Sequence, residues 1–420
     1  MSKLATAFRA KASKSKDPRM YREGAAPVAY STGFMGLDFL NGTVCHYKRE
    51  GKKYSYNSVG ILDSACTVVI GRSGCGKTTL LNQIAGNIIR PFKTSCFFLD
   101  DIEGGSPQSR LAQLLKMNSQ EFNERVIYRN SGITTENLYE RIKMIRDEKM
   151  ENSADYEYDT GLFDSKGNRI IKMEPTVYMV DSIPLIMPEE LSEEDELKGS
   201  MSATAIAKAN TSLFKKINQF LKDANIILLC INHILEDVQI GPFPKKGQLS
   251  YLKQGERLPG GRAAIYLANN MIRLDDGTKL KADSTFGIDG CIVDAQMVKS
   301  RTNKVGRSIP LIFSYTDGCF DPELSLFQLL KSEGKINGSG VGMYIGDRND
   351  IKFSHKNFKE KLIADVELQR VFSDACYDVL YSLLSVPDDD DDELTDTNTN
   401  SYACDVSNLI LNRCGISEAA

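Results

Sequence analysis

Gly71-Arg72-Ser73-Gly74-Cys75-Gly76-Lys77-Thr78 fits the pattern G-x-x-x-x-G-K-[ST] at every fixed position. The apolar run Thr67–Ile70 precedes it and the helix-like stretch Thr79–Ala85 follows. That strand–loop–helix setting separates a phosphate-binding loop from a glycine-rich turn matching by chance. The glycines let the backbone curl until successive N–H groups face an anion. The following helix adds its positive N-terminal end. Gly71, Arg72, Ser73, Gly74, Cys75, Gly76, Lys77, Thr78 and Thr79 are therefore the expected nucleotide-binding residues, with Lys77 on the β- and γ-phosphates and Thr78 on Mg²⁺.

Outward from this loop, short apolar strands alternate with amphipathic helices from about Tyr30 to Phe320. Strands are expected at Thr67–Ile70, Ser95–Leu99, Thr176–Val180, Ile226–Ile231, Met271–Leu274, Gly290–Val298 and Ser308–Tyr315. Helix-length segments separate the first four, which predicts parallel βαβ units; the last three follow closely, as hairpins do. The expected fold is α/β with a mostly parallel central sheet. Residues 1–27, rich in Lys, Arg, Ala and Ser, form a short N-terminal arm that docks on a neighbour or on nucleic acid, or stays disordered. Residues 28–320 form the core. Residues 321–386 form a small α-rich C-terminal domain, with helices at Leu324–Ser332 and Leu368–Leu384. Residues 387–420 are an acidic tail, because the run Asp388–Glu393 repels itself and resists folding.

The 420 residues suffice for two or three domains, and 41% hydrophobic with 26% charged residues is ordinary globular composition. A net charge of −4 excludes a global field that attracts nucleic acid, so such binding needs local basic patches. No apolar run approaches the ~20 residues of a membrane span, and Met1–Arg19 lacks the apolar region of a secretory signal. A cytoplasmic protein without a membrane partner is expected, in the host cytoplasm if the source is viral. Ten cysteines without C-x-x-C spacing suggest buried reduced thiols, and three dispersed histidines make no evident metal site.

A nucleotide hydrolase needs a second carboxylate for Mg²⁺, and the apolar strand Thr176–Val180 ends in Asp181. The competing role for Asp181 is a turn or helix cap. Strand Ser95–Leu99 ends in Asp100-Asp101-Ile102-Glu103. Glu103 is the expected orienter of the attacking water, with Asp101 and Asp100 as alternatives. Ile226–Ile231 ends in Asn232-His233, where His233 either senses the γ-phosphate or caps a helix.

In this order the pieces resemble the RecA-type recombinases, most closely the bacteriophage UvsX-like branch. The likeness rests on Ser31-Thr32-Gly33 through Leu37-Asp38, the phosphate loop, Asp101-Ile102-Glu103, Val180-Asp181-Ser182, Ile231-Asn232-His233, Pro259-Gly260-Gly261-Arg262 and Val298-Lys299-Ser300-Arg301. It covers about residues 28–320 and includes an insertion rich in Lys and Tyr before the phosphate loop. The resemblance implies a RecA-like P-loop NTPase core and a DNA-dependent ATPase using ATP and Mg²⁺. It implies a homo-oligomeric helical filament on single-stranded DNA that pairs with homologous duplex DNA and exchanges strands, with single-strand-binding and loader proteins as partners. It also implies catalytic roles for Glu103, Lys77 and His233, with Lys299 and Arg301 reaching ATP held by the adjacent subunit.

Two segments follow strand ends on the ligand side. The first holds Gly199, Ser200 and Met201 just before a helix, after an acidic stretch from Glu189 to Glu196. The second holds Phe243, Lys245, Lys246, Tyr251, Lys253, Arg257, Gly260, Gly261 and Arg262. Cations neutralise phosphates and aromatics stack on bases, so these are the expected DNA-binding residues. The surface lysines of an ordinary loop are the alternative. Where relatives stack adenine on a tyrosine, this chain has Arg110, whose guanidinium can also lie over a base. The acidic tail reads either as an autoinhibitor competing with DNA phosphates or as a solubilising linker. A ring-forming helicase with the same core and a non-catalytic ATP-binding recombination mediator are the rival functions.

Overall fold

The computed structural model describes residues 28–49, 51–164, 167–192, 200–236, 251–260, 263–281 and 287–384, with Lys3, Ala7, Asp396 and Thr397. The expected arm and tail otherwise lie outside the described residues. The architecture is α/β, built on one nine-stranded sheet. Its strands in chain order are β1 (Cys66–Gly71), β2 (Phe97–Asp101), β3 (Val126–Arg129), β4 (Thr176–Asp181), β5 (Ile226–His233), β6 (Asn270–Leu280), β7 (Gly290–Ser300), β8 (Ser308–Ser314) and β9 (Cys319–Asp321). Across the sheet they run β9-β8-β7-β6-β1-β5-β4-β2-β3. The first six in chain order are mutually parallel, and β7 to β9 continue the sheet antiparallel.

Every residue of β1 and β4 is buried, as in parallel strands covered on both faces. Alternation along them sorts side chains into two cores. Val69, Val177 and Met179 face the layer that holds α1 (Met35–Asn41) and α2 (Lys77–Ile89). Val68, Ile70, Tyr178 and Val180 face a layer carrying Leu138 and Ile142 from α3 (Thr135–Glu151), and Phe214, Ile217 and Leu221 from α4 (Ser200–Asp223). Each such buried aliphatic contributes roughly 1.5–3 kcal/mol of burial free energy.

The structure refines the sequence expectation in three places. β6 is a parallel neighbour of β1 and also the first strand of the hairpin series, pairing antiparallel with β7. The edge strand β3 was hidden by its half-exposed pattern Val126-Ile127-Tyr128-Arg129. Two further hairpins, Thr43–Arg49 with Lys52–Ser58 and Glu157–Phe163 with Arg169–Met173, lie outside the main sheet.

The C-terminal residues include α5 (Pro322–Ser332) and α6 (Val366–Tyr381). Asp321 caps α5 by accepting from the Leu324 N–H at 3.0 Å, and Pro322 opens the helix where a missing N–H costs nothing. Phe327 meets Phe358 with ring centroids 4.7 Å apart, and Phe358 meets Phe372 at 5.1 Å. These rings belong to the same hydrophobic core as Val69 and Leu274 of the sheet. The eight described cysteines are free thiols. Among the described residues, no helix is long and apolar enough to cross a membrane.

Candidate nucleotide site

Four neighbouring strands, β1-β5-β4-β2, end side by side and deliver the phosphate loop, His233, Asp181 and, just past its strand, Glu103. This crevice outside the carboxyl ends of parallel strands is where open α/β sheets bind ligands. The loop turns through left-handed Gly74 and Gly76, both at φ +84°. A Cβ on Gly76 would stand 2.7 Å from the Phe320 ring, so space as well as conformation selects glycine. Buried Lys77 donates to the carbonyls of Gly71 (3.1 Å) and Arg72 (2.7 Å), folding its ammonium over the loop. The buried Cys75 thiol donates to the same Arg72 carbonyl at 3.0 Å, and burial raises its pKa. Thr79 follows in the first turn of α2, so all nine cradle residues are contiguous on the described backbone.

Thr78 Oγ1 donates to Asp181 Oδ2 at 2.6 Å. Asp181 is 3% exposed, and among the described residues its Oδ1 has no hydrogen-bond partner. Burial raises its pKa to about 6; Glu103 and Asp101 add to the rise, against the Thr78 hydrogen bond and Lys77. A buried, under-satisfied carboxylate beside a hydroxyl is the oxygen donor set that suits Mg²⁺. The residues present fit that ion.

The three acidic candidates after β2 separate cleanly. Asp100 is buried, takes two bonds from Arg129 (both 3.1 Å) and one from the Tyr178 hydroxyl (2.5 Å). Asp101 shapes the turn, accepting from the N–H groups of Gly104 (2.9 Å) and Ser106 (3.1 Å). Glu103 stands in the crevice: Ser182 Oγ donates to its Oε1 at 2.8 Å, and His233 Nε2 lies 2.7 Å from the same oxygen. Ligand atoms of Glu103, Asp181 and His233 all fall within 4.8 Å of one another. His233 therefore meets the water-orienting candidate. Its neighbour Asn232 donates to the Pro259 carbonyl at 3.0 Å, tying β5 to the end of the second segment.

The expected DNA-binding residues are only partly in view. Gly199, Phe243, Lys245, Lys246, Gly261 and Arg262 lie outside the described residues. Ser200 and Met201 form the first turn of α4 and do not precede it. Lys253 Nζ is paired with Asp275 at 3.2 Å. The Tyr251 carbonyl accepts from Arg273. Arg257 is exposed and pairs in a short antiparallel bridge with Leu235. Gly260, at φ +84°, would bring a Cβ within 3.1 Å of the Pro184 Cα, so glycine permits the two segments to approach. Sequence reasoning missed the anchor beneath them: Arg273, 2% exposed, is held by Glu256 (2.7 and 2.9 Å) and Asp275 (2.9 Å). A lone cation inside the apolar run Met271–Leu274 is the signal for such a pair. Arg72 of the phosphate loop lies 4.0 Å from Glu256 and 3.7 Å from Glu236.

Lys299 and Arg301 are at the opposite end of the strands from the phosphate loop. Asn270 pairs with Thr67 at the start of β1 and with Ser300 at the end of β7. The run from Thr67 to Gly71 is about 13 Å of strand. Lys299 Nζ donates to the carbonyls of Ile265 (2.6 Å) and Tyr266 (3.0 Å), and Arg301 donates to Tyr266 at 3.2 Å. The two cations are thus remote from their own phosphate loop. Arg110 bonds Gln113 Oε1 at 2.9 Å and the Gly318 carbonyl, which commits its guanidinium edge to the turn before β9.

No protein-family model matches this chain, and no curated protein matches it.

Proposed function

We propose that this chain is a DNA-dependent ATPase with a RecA-like core that forms filaments on single-stranded DNA and promotes homologous pairing and strand exchange. The observation that carries the ATPase part is the convergence of Lys77, Thr78, Asp181, Glu103 and His233 at four adjacent strand ends. ATP phosphates would replace the Gly71 and Arg72 carbonyls as partners of the Lys77 ammonium. Mg²⁺ bound by Thr78 and Asp181 would supply charge neutralisation at the phosphates. Glu103, held by Ser182, orients the attacking water, and His233 carries the state of that site into β5. Asn232, one residue earlier, carries it to Pro259 and the second DNA-facing segment.

The filament part rests on the family resemblance and on Lys299 and Arg301. They lie at the opposite end of the strands from their own loop, where a head-to-tail neighbour would present its nucleotide. ATP would then couple subunit packing to DNA affinity. A nucleotide-dependent mediator that exchanges no strands is the second reading, favoured by the pairing of Lys253 with Asp275. The deciding measurement is ATP hydrolysis with and without single-stranded DNA, with the Lys77→Ala protein as control. Stimulation by DNA that vanishes in the control supports the recombinase. Hydrolysis indifferent to DNA transfers the case to the mediator.

A further inference from the structure

Thr78 takes one oxygen of Asp181 and leaves the other, Oδ1, buried and without a hydrogen-bond partner among the described residues. A buried carboxylate oxygen left bare is costly until a donor or a cation meets it. Ligand atoms of Asp181, Glu103 and His233 lie within 4.8 Å of one another. The three residues are far apart in the chain and meet because the ends of β4, β5 and β2 are brought together by the sheet. The side chains of Glu103 and His233 are 38% and 21% exposed, which gives an ion a way in. This donor set differs in kind from the oxygen pair of Thr78 and Asp181 Oδ2. Mg²⁺ takes oxygen ligands and keeps its waters, whereas imidazole suits Zn²⁺ and its transition-metal neighbours. A tetrahedral Zn²⁺ with nitrogen and oxygen ligands spaces them about 3.3 Å apart. The 2.7 Å contact of His233 with Glu103 has only to open slightly to admit it. Ser182 Oγ, donating to Glu103 Oε1 at 2.8 Å, is the kind of outer partner that orients a ligating carboxylate.

We infer that Asp181, Glu103 and His233 form a second metal site, for a transition-metal ion of the Zn²⁺ class, and that this ion switches hydrolysis off. His233 Nε2 gives up the proton it shares with Glu103 Oε1 and binds through its lone pair. The two carboxylates neutralise the ion, and a water fills the remaining position. Asp181 then bridges, with Oδ2 toward the Mg²⁺ position beside Thr78 and Oδ1 toward the second ion. With its carboxylate on the metal, Glu103 no longer takes a proton from the attacking water. The metal site stands on its own geometry; the switch rests on the ATPase reading above.

The test titrates full-length, nucleotide-free protein with Co²⁺, a coloured stand-in for Zn²⁺, in excess Mg²⁺. Binding should give visible ligand-field absorption without a thiolate charge-transfer band, and Zn²⁺ should displace it. His233→Ala and Glu103→Gln, each checked by thermal melt, should each weaken that binding by about 100-fold or more, since losing an outer partner alone costs about 10–100-fold. In the wild type, Zn²⁺ at saturation should slow ATP turnover in excess Mg²⁺ by about 100-fold, the scale of a lost general base. A fluorescent ATP analogue should stay bound, and sedimentation should show no change in size. A thiolate band, or equal Co²⁺ affinity in the folded variants, assigns the metal to the free cysteines and overturns the site. Inhibition that tracks aggregation in sedimentation overturns the switch. Normal hydrolysis by a protein that binds no Co²⁺ removes the metal site and leaves the ATPase. Co²⁺ bound as expected by a protein that hydrolyses no ATP keeps the site and removes the ATPase reading, and the switch with it.

Discussion

His233 Nε2 and Glu103 Oε1 meet at 2.7 Å although their strands, β5 and β2, are not neighbours: β4 runs between them. Both side chains reach over the end of β4, where Asp181 sits. The contact joins the residue proposed to orient water to the strand that leads to Pro259.

Replacing Glu103 by Gln keeps the shape and removes the base. Hydrolysis is expected to fall by about 10²–10⁴-fold while ATP-analogue affinity is kept. Phosphate release and analogue binding on the same preparation check it; normal turnover in the variant moves the water-orienting role elsewhere.

Asp181 sets a pH dependence. Its folded pKa of about 6 lies above the ordinary 3.8, so the fold disfavours its ionised form. The resulting cost is fully present above pH 6 and is relieved as pH falls from about 6 to about 4. Asp181→Asn should therefore stabilise metal-free protein at pH 7.5, by an amount on the order of 3 kcal/mol, and much less at pH 4. Mg²⁺ affinity of the wild type should drop as pH falls through 6. Thermal melts in chelator at both pH values decide this: equal melting of the two proteins at pH 7.5 counts against a strained carboxylate.

Asn232→Ala removes the link to the Pro259 carbonyl without touching the phosphate loop. ATP-analogue affinity should stay within about twofold, at a stability cost of about 1–2 kcal/mol. Stimulation of hydrolysis by single-stranded DNA should fall. Full stimulation in the variant would mean that the two sites communicate by another route.

Asp100→Ala leaves Arg129 without its bidentate partner and Tyr178 without its acceptor. Breaking a buried pair in this way costs about 3–5 kcal/mol. Denaturant melts should show that loss, and a melt within 1 kcal/mol of wild type, by the same ledger, would show Asp100 to be dispensable.

Deleting residues 387–420 removes the acidic run Asp388–Glu393. DNA binding should tighten at low salt and converge with wild type as salt screens the tail. Affinity unchanged across the titration would leave the tail as a solubilising linker.

The phosphate loop and the ends of β4 and β5 were legible because each is a local signal. Glycines at fixed spacing dictate a backbone path, and an apolar run closed by Asp181 or by Asn232-His233 dictates a buried strand with polar groups at its end. Parallel order among the first strands followed from the helix-length spacers between them. Sequence favoured Glu103 over Asp101 and Asp100 as the water orienter, but with three carboxylates within four residues it could not give the other two their own roles. Only the neighbours brought in by the fold assign Asp100 to Arg129 and Tyr178, Asp101 to its turn and Glu103 to His233.

By itself, then, the sequence determined the loop, the α/β alternation and the inventory of groups at the strand ends, since backbone geometry and burial act over a few residues. The tertiary structure alone decided the strand order, the contact of Glu103 with Ser182 and His233, the buried Arg273–Glu256 anchor and the placement of Lys299 and Arg301 at the far end of the strands. Those depend on which strands pair, and pairing is settled by contacts between residues tens to hundreds of positions apart.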